Sequence, residues 1–92
     1  MIVIVEGRYR PQINRNQPEL NAALFDDLSF ERLRLAGQIY DDNGQNIGFT
    51  AVLDVENVGD AETYLTSSAY ARAGLYETTR LVEFRPEVGH LG

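Results

Sequence analysis

The sequence predicts a small α+β fold of ferredoxin-like type, four antiparallel strands and two helices in the order βαββαβ, on three observations. Apolar residues run continuously in one short stretch, recur at every second position in three others and at every third or fourth in two more. An Asn43-Gly44 pair stands between the second and third alternating stretches, where a tight hairpin needs it. Each helical stretch lies between two strands, so right-handed crossovers bring both helices onto one face of one sheet. A chain of 92 residues can enclose one core, and residues 1–92 are expected to form a single domain.

Residues 2–6 (Ile-Val-Ile-Val-Glu) are apolar on both alternations, which predicts a first strand covered on both faces. Residues 7–17 are polar, carry Pro11 and are expected to form a loop. The first helix is expected to open with Asn16 as N-cap, Pro18 in the first turn and Glu19 three residues past the cap. Its inward stripe would be Leu20, Ala23, Leu24 and Leu28, ending at residue 28 or 29. From Arg32 the period changes to two, with Leu33, Leu35, Gly37 and Ile39 alternating against Arg34, Ala36, Gln38 and Tyr40.

Residues 41–46 form the expected turn, since Asn-Gly accepts positive φ. The third strand carries Phe49, Ala51, Leu53 and Val55 on one face and Thr50, Val52 and Asp54 on the other. A second helix over residues 58–68 has the stripe Val58, Ala61, Leu65 and Ala69, and Gly74 closes it. The last strand, residues 75–85, is stopped by Pro86. It should present Tyr76, Val82 and Phe84 on one face and Leu75 and Leu81 on the other, leaving residues 87–92 as a tail.

Composition removes several function classes. The absence of cysteine excludes disulfides and thiolate chemistry, and the absence of lysine excludes Schiff-base attachment. A net charge of −6 argues against a nucleic-acid partner, which needs clustered positive charge. The apolar N-terminal run is too short for a membrane span or a signal core, so no membrane association is expected and a cytoplasmic location is the default. No metal and no cofactor are expected. The turn at residues 41–46 does not fit a calcium loop, because its glycine comes too early and Thr50 stands where a glutamate is needed. Gly44 and Gly48 precede no helix, so no phosphate cradle is present.

The acidic pairs Asp26-Asp27 and Asp41-Asp42 read as solvated surface. The single histidine, His90, lies in the tail. A triad would need it folded back onto Ser67 or Ser68 with Asp60 or Glu62 behind, an arrangement nothing in the sequence favours.

The succession Ala36-Gly37, Asp42-Asn43-Gly44, Gly48 and Ser68-Ala69-Tyr70-Ala71-Arg72-Ala73-Gly74-Leu75-Tyr76 resembles the YciI-like (YCII) family of the dimeric α/β barrel superfamily. The likeness covers residues 35–85; the first 30 match by element order. It implies a dimeric α/β barrel and a small-molecule site in the cleft between the first helix and the sheet. The histidine and aspartate proposed as an acid/base couple in that family fall near Leu20 and at Ser68 here, so the couple is missing.

Side chains that the resemblance would bring to the cleft mouth are Arg8, Tyr9, Arg10, Gln38, Tyr40, Ser68 and Tyr70. Arginine beside tyrosine suits an anionic or aromatic ligand. Three readings follow: an enzyme acting on a small aromatic or carboxylate compound, a non-catalytic ligand-binding or accessory module, and a dimerisation unit. In each, the apolar outer alternation of the strands predicts a homodimer joined through the sheet face opposite the helices.

Overall fold

The computed structural model describes residues 1–11, 23, 24 and 26–89. The expected helix opening at Asn16, Pro18, Glu19 and Leu20, and the tail residues His90 and Leu91, lie outside the described residues. Four strands form one antiparallel sheet: β1 (Ile2–Tyr9), β2 (Leu33–Tyr40), β3 (Asn46–Asp54) and β4 (Tyr76–Phe84), in the order β2-β3-β1-β4. Residues 23, 24 and 26–28 are helical between β1 and β2. Helix α1 (Val58–Ser67) and the single turn α2 (Ala69–Arg72) lie between β3 and β4. This is the ferredoxin-like α+β order, with β1 and β3 central.

Strand β1 runs to Tyr9 instead of stopping at Glu6. Backbone ladder bonds do not require apolar side chains, and Gly7 and Arg8 continue to pair with Phe49 and Gly48 on one side and with Thr79 and Thr78 on the other. The hairpin between β2 and β3 turns at Gly44, which adopts φ +77°, while Asp41 Oδ1 accepts from the backbone N–H groups of Asn43 and Gln45. Asn57 caps α1 by accepting from Asp60 N at 2.9 Å.

Val3, Val5, Ala51 and Leu53 form the floor of the core, and Ala61, Leu65, Ala69 and Tyr70 close over it from the helices. Two expected stripe residues, Leu28 and Val58, are instead more than a third exposed at the helix margins.

Two register shifts redirect side chains that strict alternation assigns to the other face. Arg8 pairs with Thr78 but Tyr9 with Tyr76, so Glu77 is the extra residue of a bulge and Tyr76 turns into the core, away from Val82 and Phe84. Leu33 pairs with Leu53 but Leu35 with Val52, so Arg34 is the extra residue there. Leu33 consequently packs against the core while Leu35, Gly37 and Ile39 stay on the open face. On that open face Leu35, Val52, Ile4 and Val82 align in one row across all four strands, with Ile2 and Phe84 beside it.

Candidate functional site

Gly7 is the starting point of the site. A Cβ there would meet the Tyr76 ring at 2.4 Å, so only glycine lets the ring lie flat on β1. Tyr9, two residues on and on the same face, stacks on Tyr76 at 5.8 Å between ring centroids, and Tyr70 from α2 stands edge-on to both. Phe49 meets Tyr70 edge-on at 6.3 Å. Phe49, Tyr70 and Tyr76 form one wall of the cleft on the helix-covered face, and Tyr9 packs against two of them.

The opposite wall comes from the helices. Asp27, which the sequence alone assigns to solvated surface, is half-buried and reaches the start of α2, where Oδ2 accepts from Ala69 N at 2.7 Å. Its backbone carbonyl accepts from the Tyr64 hydroxyl at 3.1 Å, and Tyr64 is stacked on Phe30. Asp26 remains exposed. The signal for Asp27 was its spacing: it lies three residues after Leu24, and both line the cleft. The apolar spacing assigns that inward role to Leu28, which is exposed instead, so the helix face is turned by one residue.

Among the residues that the sequence singled out, Tyr9, Gln38, Ser68 and Tyr70 are on the cleft side of the sheet. The Tyr9 hydroxyl donates to Gln38 Oε1 at 2.7 Å, and Asn46 Nδ2 donates to the same oxygen at 3.0 Å. Ser68 is a cap: its hydroxyl donates to the Leu65 carbonyl at 2.8 Å and accepts from Ala71 N at 3.3 Å. Among the described residues, no base hydrogen-bonds to it.

Arg8, Arg10 and Tyr40 are not brought together with them. Arg8 is on the open face, paired with Glu6 at 3.2 Å, because even-numbered β1 residues face away from the helices. Arg10 is spent on the chain turn, with Nε donating to the Gly74 carbonyl and its backbone N to that of Leu75. Tyr40 is 60% exposed at the end of edge strand β2. Among the described residues, Arg8 and Arg10 therefore do not line the cleft with the tyrosines.

Burial pushes the Tyr64 phenol up to about 12, assisted by the Asp27 charge, and pushes the Tyr76 phenol higher still, with the neighbouring phenols and Asp27 adding to it. At neutral pH both are protonated hydrogen-bond donors. The cleft thus offers phenol donors, ring faces and one carboxylate. The space now enclosed between Asp27, Ser68 and the tyrosines is about 10 Å³, room for one water. Among the described residues no three His, Asp or Glu side chains come together as a metal would require.

No family model and no curated protein matches the chain. Solved structures do. The 5-chloro-2-hydroxyhydroquinone dehydrochlorinase TftG from Burkholderia phenoliruptrix AC1100, in complex with 2,5-dihydroxybenzoquinone, superposes with a TM-score of 0.75 at 16% identity, covering 92% of this chain and 94% of that one. Rv0793 from Mycobacterium tuberculosis gives a TM-score of 0.57 at 14% identity, covering 96% and 97%. No helix among the described residues is long and apolar enough to cross a membrane. At these identities the likeness to the two neighbours shows that this chain has their fold and no more.

Proposed function

We propose that this chain is a YciI-like protein that binds and transforms a small hydroxylated ring compound in the tyrosine-walled cleft, and that it works as a homodimer. The observation that carries the reading is the convergence of Tyr64, Tyr70 and Tyr76 with Asp27 on one cleft, with Tyr9 packed against Tyr70 and Tyr76. Ring faces there suit stacking, and the Tyr76 phenol, protonated at neutral pH, suits hydrogen bonding to a ring oxygen. The loss of Arg8 from the site turns the preference away from carboxylates and toward neutral hydroxylated rings. The bound quinone in the dehydrochlorinase of the same fold supports a ligand of this size and kind.

The homodimer reading rests on the open face. Leu35, Val82 and Phe84 are 59%, 38% and 49% exposed around Ile2, Ile4 and Val52, an apolar surface that a second copy stacked face to face would cover. One observation favours the alternative of a non-catalytic accessory module: a space of about 10 Å³ admits a ring only if a wall moves.

Thermal unfolding with hydroquinone, 4-nitrophenol and benzoate tests the cleft. A ligand present at a hundred times its dissociation constant stabilises the native state by about 2.7 kcal/mol. The phenols should raise the melting temperature by several degrees and benzoate less. No shift with either phenol at millimolar concentration would favour the accessory module, and a monomeric mass by light scattering would remove the dimer.

A further inference from the structure

Among the described residues, the carboxylate of Asp27 is held at one oxygen only. Oδ2 accepts from Ala69 N, whereas Oδ1 makes no hydrogen bond to any described residue. Among the described residues, every titratable group that lines the same space from the other elements is a phenol or is engaged elsewhere. Tyr64 comes from α1, Tyr70 from α2 and Tyr76 from β4, while Glu6, whose backbone borders the cleft, turns its carboxylate to Arg8 on the far face. No arginine of the described residues lines the same space. A carboxylate with one anchored and one unengaged oxygen, with no cation of the described residues lining the same space, accepts a hydrogen bond from a ligand and repels a ligand anion.

We propose that Asp27 is the specificity-determining residue of the cleft, selecting rings that carry a protonated hydroxyl over the corresponding phenolates and carboxylates. Oδ1 accepts the ring hydroxyl, Oδ2 stays on Ala69 N, and the tyrosine rings pack against the ligand. Discrimination of this kind works by repulsion as much as by attraction: the anionic form loses its donor and gains a like charge at close range. The inference rests on the cleft reading given above and adds to it the protonation state of the ligand.

4-Nitrophenol separates the two, because its phenol and phenolate absorb at different wavelengths and both forms can be titrated into the protein on either side of neutral pH. The wild-type chain should bind the phenol at least about tenfold more tightly than the phenolate, with the bound chromophore keeping its phenol spectrum. Asp27→Asn retains an oxygen for Ala69 N and removes the charge. It should melt within a few degrees of wild type, and its preference for the phenol should collapse to about twofold or less.

A wild-type chain that binds the phenolate as tightly as the phenol overturns the inference whatever the variant does. An Asp27→Asn chain that keeps the wild-type preference overturns the role of Asp27 and leaves the cleft reading standing. Failure of both proteins to bind either form at millimolar concentration overturns the cleft reading and this inference with it.

Discussion

The two faces of the sheet are built from alternate residues of the same strands, yet they meet different surroundings. Along β1, Val3 and Val5 are sealed beneath the helices, whereas Ile2 and Ile4, equally apolar, stay part-exposed on the other side. Tyrosines gather on the covered face and surround a carboxylate. The open face carries a row of aliphatic side chains followed by the Glu6–Arg8 pair. Apolar alternation thus identifies which residues share a face but not what covers them. The two faces therefore differ in their cover: helices and a tyrosine cluster on one, part-exposed aliphatic side chains on the other.

The largest test of that contrast compares two leucines. Leu53→Ala, at a fully buried position on the covered face, should cost about 2–5 kcal/mol in urea unfolding. Leu35→Ala, 59% exposed on the open face, should stay within about 0.5 kcal/mol at protein concentrations low enough to hold the monomer. If Leu35→Ala instead loses stability that grows with protein concentration, the open face is an interface and the contrast is one of partners.

Two glycines sharpen the same point at a smaller scale. Gly7→Ala places a methyl group into the Tyr76 ring and should cost about 1–3 kcal/mol, with the tyrosine stack disturbed in near-ultraviolet dichroism. Gly37, on the open face, has nothing within 4 Å of a built Cβ. Gly37→Ala should be neutral or stabilising by about 0.4–1 kcal/mol. Equal losses at both positions would mean that the open face is as tightly covered as the other.

The smallest effect is a titration confined to the covered face. The Tyr64 phenol moves from 10.0 to about 12 on folding, so the folded state binds its proton more tightly than the unfolded state. Its stabilising contribution is complete below pH 10 and is lost as pH rises from 10 to about 12. Tyr76 acts in the same direction. The denaturation midpoint should therefore fall across that interval, less steeply in Tyr64→Phe. An identical pH profile in the variant would show that Tyr64 is not desolvated.

The sequence by itself determined the order of elements, the hairpin at Asn43-Gly44, the central position of β1 and the apolar nature of both sheet faces. Each of these follows from local periodicity or turn chemistry, which neighbouring residues carry in their own spacing. Tyr9, Gln38, Ser68 and Tyr70, which the family resemblance assigns to the cleft, lie on its side of the sheet. Tertiary structure alone decided the rest. The bulge at Glu77 swings Tyr76 into the site, and the one at Arg34 separates Leu33 from Leu35, since register depends on pairing with a strand distant in the chain. The placement of Arg8 on the far face follows from β1 continuing past Glu6, which only its two neighbours sustain. Asp27 gained its place through a backbone N–H 42 residues away, a partner that no local pattern encodes.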